Sequence, residues 1–158
     1  MESESDKAFQ YRVNKKAAHV DGLLREGPQA RRFLRETHGF ILGLPLVESS
    51  AGASPLVIWE KSHEIVRSVF RETFEGIAPD SWGEVDLTDL YLDLRYRIFD
   101  ECEAVEVYAK PGEAYLLHRL SLHGMTPWQE SACSGPDGRM ICYFRPEFGQ
   151  LEDWLYSP

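Results

Sequence analysis

Short apolar runs separated by turn residues recur along this chain, and they restrict what it can fold into. Each has the length of a strand, and Gly, Ser or Pro residues lie beside most of them; they span residues 40–47, 56–59, 105–109, 114–118 and 140–144. The longest run covers about eight residues, whereas a transmembrane helix needs roughly twenty. The pattern therefore predicts many short strands and no helix that crosses a membrane.

Two segments with helical periodicity interrupt the strands. The first begins at Ser62, a candidate N-cap, and can end at Gly76; the second follows Thr88. Apolar residues recur on one face of each segment: Ile65, Val66, Val69, Phe70 and Phe74 in the first, and Leu90, Tyr91, Leu94, Ile98 and Phe99 in the second. Because these helices are inserted together and do not alternate with strands, we expect a mainly β fold, a small barrel or jelly roll with two inserted helices.

Local patterns give further expectations. Residues 1–8 are polar and are predicted to be disordered, and residues 9–158 form one domain, with a strand-like alternation starting at Phe9. Residues 29–36 are interpreted as a short helix or a loop. Residues 40–47 and 56–59, joined through Gly, Ser and Pro, are expected to pair in one sheet.

Composition narrows the class of protein. The 158 residues are 43% hydrophobic and 27% charged, as in ordinary globular domains, and the net charge of −9 disfavours nucleic-acid and anionic-membrane partners. Three cysteines without a CxxC pair indicate free thiols in a reducing compartment. The N-terminus has no signal-peptide pattern, so we expect a soluble, cytoplasmic protein.

A His-x-Asp pair is the first candidate for chemistry. His19 and Asp21 are two residues apart in a strand-like segment, so their side chains would project from the same face. With one more imidazole they would form a two-histidine, one-carboxylate metal site that leaves three coordination positions open. The alternative is a structural hydrogen bond between the imidazole and the carboxylate. His118 and His123 are the candidates for the third ligand.

A late strand carries an arginine. Arg139, Ile141 and Tyr143 alternate and would share one face, and an arginine that faces the interior requires an anionic partner. A dicarboxylate would satisfy it, because a guanidinium group binds a carboxylate through two hydrogen bonds. The alternative is a strand-end arginine that pairs with Asp137.

Three stretches together resemble the phytanoyl-CoA dioxygenase family of iron(II)- and 2-oxoglutarate-dependent oxygenases. They are residues 18–22 with His-x-Asp, residues 52–63 with Gly-Ala-Ser-Pro-Leu-Val-Ile-Trp-Glu-Lys-Ser-His, and residues 112–124 ending in Leu-His-Gly. The resemblance implies a double-stranded β-helix, a jelly-roll barrel with the metal at one mouth. It also implies hydroxylation of a small organic substrate, with release of succinate and carbon dioxide.

The resemblance also assigns roles to single residues. His19, Asp21 and His123 would be the iron ligands and thus the catalytic residues, because the family ligand directly precedes a glycine. Arg139 would hold the far carboxylate of 2-oxoglutarate. Thr126 is a further candidate for cosubstrate binding, since the family's small hydroxyl residue is replaced here by Met125. Candidate pocket residues are His38, Trp59 and Tyr143.

Two other functions remain open at this point. One is a non-catalytic barrel that binds a small molecule. The other is a cupin-type hydrolase or isomerase that uses the same three ligands to activate water. A barrel with an open edge would also allow a homodimer.

Overall fold

The computed structural model describes residues 17–158, so the expected disordered residues 1–8 and the strand starting at Phe9 lie outside the described residues. The described part is mixed α/β. Its strands are β1 (Leu23–Glu26), β2 (Arg31–Leu34), β3 (Phe40–Pro45), β4 (Leu56–Trp59), β5 (Ala104–Val107), β6 (Tyr115–His118), β7 (His123–Met125) and β8 (Ile141–Phe144). Its helices are α1 (Ser62–Thr73), α2 (Thr88–Glu101) and α3 (Leu151–Tyr156), with a 3₁₀ segment at Pro79–Glu84.

The strands form a two-stranded hairpin and two three-stranded sheets, all antiparallel. The hairpin pairs β1 with β2, one sheet has the order β6-β3-β8, and the other has the order β5-β4-β7. The expectation that residues 40–47 and 56–59 pair with each other is wrong, because β3 and β4 are the central strands of different sheets. The loop between them is long enough to carry the chain from one sheet to the other, so no hairpin turn holds them together.

The two three-stranded sheets face each other across an apolar layer. On β3 the buried positions alternate with partly exposed ones, which directs Ile41 inward. Ile41 packs with Leu56 of β4 and with Tyr115 and Leu117 of β6, so both sheets contribute to this cluster. The space between the sheets is therefore partly filled by side chains, and its ends remain available for cavities.

The helices cover the opposite face of the β5-β4-β7 sheet. The amphipathic patterns predicted α1 and α2 correctly, and both lie between β4 and β5 in the chain. Their apolar faces pack in the main core with residues of β4 and α3: Val57, Trp59, Val66, Phe70, Tyr91, Leu94, Ile98, Trp154 and Leu155. Because the helices contain about as many of the described residues as the strands do, the expected mainly β class is corrected to mixed α/β.

Residues 29–36 include strand β2, and neither the predicted helix nor the loop is found there. The hairpin turn contains Gly27 at a positive φ of 67°, and Leu23 pairs directly with Leu34. The strand is only four residues long, so its alternation is too short to be recognised beside three arginines.

Among residues 17–158, no helix combines the length and the apolar character needed to span a membrane.

Candidate metal centre

His19, Asp21 and His123 converge in the structure, and one ligand atom from each lies within 4.8 Å of the other two. His123 is the first residue of β7, and the backbone of His19 pairs with it in an antiparallel bridge. The His19 N–H donates to the His123 carbonyl at 2.8 Å, and the His123 N–H donates to the His19 carbonyl at 3.0 Å. This pairing brings the two rings to a centroid separation of 4.5 Å.

A tight turn places Asp21 beside both rings. The next residue, Gly22, has a φ of 89°, and a Cβ there would overlap the carbonyl of Glu36. Asp21 Oδ1 lies 3.4 Å from Nε2 of His19 and 3.7 Å from Nε2 of His123. One carboxylate oxygen is thus directed at the space between the imidazoles.

Backbone carbonyls orient both imidazoles for metal binding. His19 Nδ1 lies 2.9 Å from the Ala17 carbonyl, and His123 Nδ1 lies 3.0 Å from the Ser121 carbonyl. A carbonyl only accepts hydrogen bonds, so Nδ1 carries a proton in each ring and donates it. In the neutral rings Nε2 therefore has the free lone pair, and both Nε2 atoms face Asp21. Metal-bound histidines are commonly held by such a hydrogen bond from the other ring nitrogen.

The electrostatics leave His123 and Asp21 unprotonated at neutral pH. Burial, together with the nearby His19, lowers the pKa of His123 to about 4. Burial also opposes ionisation of Asp21, but its hydrogen bond with His19 and the charges of His123 and Arg145 outweigh this and hold its pKa well below the ordinary value. For His19, burial favours the neutral ring, while hydrogen bonds to Asp21 and Ala17 prevail and raise its pKa.

Arg145 is a site residue that the sequence interpretation missed. Its Nε donates to Asp21 Oδ2 at 2.6 Å, and its guanidinium group lies 5.2 Å from the centre of the Tyr143 ring. The alternation of Arg139, Ile141 and Tyr143 reaches Arg145 when it is extended by one more step. That extension would have identified a second arginine on the same face.

The donor set suits a divalent transition metal. Two imidazole nitrogens with free lone pairs and one ionised carboxylate are the facial arrangement that leaves three positions open for other ligands. His19 and His123 border a cavity of about 170 Å³, called the metal-side cavity below, whose mainly apolar lining includes Ile41, Leu56, Leu117, Met125 and Tyr143. The His19 side chain is 48% exposed and the His123 side chain 7%, so the group lies at the protein surface on the His19 side. The residues present therefore fit a bound divalent metal ion with positions left open for other ligands.

His118 has different surroundings. Its ring lies 4.7 Å from that of His63, its Nε2 is 2.6 Å from Nη2 of Arg67, and its Nδ1 accepts the Leu120 N–H at 3.1 Å. Both neighbouring side chains belong to α1, so His118 faces the helix and not Asp21. Of the two candidates for the third ligand, the structure brings His123 to the site.

Arg139 lies beside a second cavity. This cavity, of about 280 Å³, is lined by Arg139 together with Tyr115, Ile141 and Lys110. Arg139 Nη1 lies 3.6 Å from the sulfur of Met125, which lines the metal-side cavity. Within residues 17–158, no carboxylate forms an ion pair with Arg139, so the alternative pairing with Asp137 is not found.

The remaining predicted residues divide between the cavity and the core. Tyr143 lines the metal-side cavity, and its place in a substrate pocket stays a prediction. Trp59 belongs to the helical core, 5.3 Å from the Phe99 ring, so its assignment to the substrate pocket is corrected: alternation on β4 points it away from the inter-sheet space. His38 is buried with Nε2 3.1 Å from Glu36, which indicates a packing position.

Thr126 follows Met125 directly. Its N–H donates to the Pro55 carbonyl at 3.1 Å, and its hydroxyl is buried without a hydrogen-bond partner within the described part of the chain. Its backbone thus ties the end of β7 to the start of β4, while its role in cosubstrate binding stays a prediction.

Comparison of the chain with protein-family models, curated proteins and solved structures found no match.

Proposed function

We propose that this protein is a non-haem iron(II)- and 2-oxoglutarate-dependent dioxygenase that hydroxylates a small organic substrate, with release of succinate and carbon dioxide. The observation that carries the proposal is the convergence of His19 Nε2, His123 Nε2 and Asp21 Oδ1. Their sequence context, with His-x-Asp early and Leu-His-Gly late, resembles the phytanoyl-CoA dioxygenase family.

The sheet topology supports a double-stranded β-helix. Two antiparallel sheets face each other, and the chain passes from one to the other between β3 and β4, between β5 and β6, between β6 and β7, and between β7 and β8. Repeated crossing of this kind is what a jelly roll requires. The bridge between His19 and His123 adds the first ligand to the β5-β4-β7 sheet at the edge formed by β7. We propose that the ligands lie at one mouth of this barrel.

Each residue has a defined task in this proposal. His19, Asp21 and His123 hold iron(II), which with a chelated oxo acid supplies the activation of dioxygen. Arg145 keeps Asp21 ionised and holds its second oxygen. Ile41, Leu56 and Leu117 exclude water from the reaction space. Arg139 pairs with the far carboxylate of 2-oxoglutarate.

A second function is favoured by one observation. Arg139 lines the other cavity, and Met125 lies between its guanidinium and the metal-side cavity. A cupin-type hydrolase or isomerase that activates water would use the three ligands and would not need Arg139. The two functions therefore differ in whether Arg139 contributes to ligand binding.

Anaerobic titration of the metal-free protein with iron(II), followed by 2-oxoglutarate, tests the proposal. We expect a visible charge-transfer band that requires both additions, disappears in His123→Ala and persists in His118→Gln. In Arg139→Ala the band should require a higher concentration of 2-oxoglutarate. Bound iron without a band would contradict the oxygenase and favour the hydrolase, and absence of iron binding would favour a non-catalytic binding barrel.

A further inference from the structure

Two cavities occupy the space between the facing sheets, and a thin partition of side chains separates them. The metal-side cavity is lined by Met125 and Tyr143, and the other cavity is lined by Arg139 and Tyr115. Met125 touches Arg139 at 3.6 Å, and the hydroxyls of Tyr115 and Tyr143 are 3.3 Å apart. The partition thus consists of two contacting pairs, each with one member on either side.

Met125 is the member of this partition that moves most easily. Methionine is unbranched with three rotatable bonds, and Met125 is 45% exposed. The tyrosines are more restrained, since Tyr115 is only 7% exposed and a Cβ at Gly43 would overlap its ring. Rotation of the Met125 side chain away from Arg139 would join the two cavities without movement of the backbone.

The spacing defines what the joined cavity would accept. Met125 and His123 lie two residues apart on β7, which corresponds to about 6.6 Å along a strand. This is comparable to the length of a five-carbon dicarboxylate whose oxo-acid end lies at the metal ligands. With Met125 in its present position, the metal-side cavity accommodates a short oxo acid and the guanidinium of Arg139 is not reached.

We propose that Met125 is a specificity-determining residue that sets the length of the 2-oxo acid bound at the metal centre. The inference rests on the proposed function and adds the choice among oxo acids to it. In the wild-type protein the Met125 side chain must rotate away from Arg139 before 2-oxoglutarate reaches the guanidinium group, which lowers the affinity for 2-oxoglutarate and leaves that for pyruvate unchanged. A smaller residue at this position opens the way to Arg139 and favours the longer, dicarboxylic acid.

The test measures binding of 2-oxoglutarate and of pyruvate to the iron(II)-loaded protein under anaerobic conditions, by calorimetry. We expect Met125→Ala to raise the affinity for 2-oxoglutarate relative to pyruvate about tenfold, the lower range for a hydrogen bond to a charged group. Met125→Leu, which keeps most of the volume, should stay near the wild-type ratio. Met140→Ala is the matched control, because Met140 is a similarly exposed methionine outside both cavities.

Adding Arg139→Ala to Met125→Ala should remove the gain, since the longer acid then has no guanidinium to reach. If both acids bind and Met125→Ala leaves their ratio unchanged, the inference about Met125 is overturned while the metal centre stands. If neither acid binds to the iron-loaded wild type or to Met125→Ala, both the inference and the proposed oxygenase fail. If Met125→Ala still raises the affinity for 2-oxoglutarate relative to pyruvate when Arg139 is also alanine, the proposal that Met125 controls access to Arg139 is overturned.

Discussion

The variant His118→Gln tests whether His118 has a structural role and takes no part in metal binding. His118 is held between α1 and the backbone of Leu120, whereas His123 lies beside the carboxylate of Asp21. Burial lowers its pKa to about 3, with further contributions from the positive charges of Arg119, His63 and Arg67. The folded protein therefore holds this ring neutral at pH values where an unfolded chain would protonate it.

The size of the effect follows from proton linkage. An unfolded histidine has a pKa of 6.5, so the unfolded state takes up the proton first as the pH falls, and stability is lost from about pH 6.5 down to about pH 3. Each pH unit inside this window corresponds to about 1.4 kcal/mol. Between pH 7 and pH 5, His118 should therefore lower the free energy of unfolding by about 2 kcal/mol.

Urea unfolding of the metal-free protein at pH 7, 6 and 5 measures this effect. Buried His123 adds its own acid sensitivity, so the informative quantity is the difference between wild type and His118→Gln. We expect the variant to lose about 2 kcal/mol less than wild type over this interval. It should also retain its affinity for divalent metal, whereas His123→Ala should lose it. Equal pH dependence of wild type and His118→Gln would refute the reasoning.

Other variants test the site and its support. Arg145→Ala frees Asp21 Oδ2 to bind the metal, so fewer water molecules should remain coordinated to bound Mn²⁺. Water-proton relaxation measures the number of coordinated waters. An unchanged number would argue against the role of Arg145. Phe70→Ala empties a fully buried position and should cost about 3 to 5 kcal/mol in urea unfolding. Gly43→Ala places a Cβ against the Tyr115 ring, and the overlap should cost about 1 to 3 kcal/mol or more by the same measurement; a neutral result would show that the ring relaxes freely.

The sequence predicted those parts of the fold whose signal is local. Both inserted helices were found because their apolar residues recur at helical spacing, and that spacing places Val66, Phe70, Leu94 and Ile98 in the core. The short strands were mostly located as well. Their partners were not, since period-2 alternation identifies a strand without saying which strand it joins. The separation of β3 and β4 into different sheets depends on contacts across the whole chain.

The site shows the same division between local and distant information. His19 and Asp21 are neighbours in the chain, and the glycine after His123 marked it as the third ligand by resemblance to a family. Arg145 contacts Asp21 across 124 positions of sequence, so no motif joins them. Trp59 was assigned to the wrong side of its strand because an aromatic residue in an apolar run gives no indication of which face it occupies.

The backbone itself organises the metal centre. His19 and His123 exchange two backbone hydrogen bonds, and each ring donates Nδ1–H to the carbonyl two residues before it, so both imidazoles are oriented by the same local pattern. Peptide groups are present whatever the neighbouring side chains are, which makes this orientation independent of the residues that line the cavity. Under the proposed function, Met125, Tyr143 and Arg139 would therefore determine which ligand binds, and the strand pairing would determine where it is bound. A donor set of this kind can hold a metal ion, and under the proposed function the choice between oxygenase and hydrolase depends on whether Arg139 contributes to ligand binding.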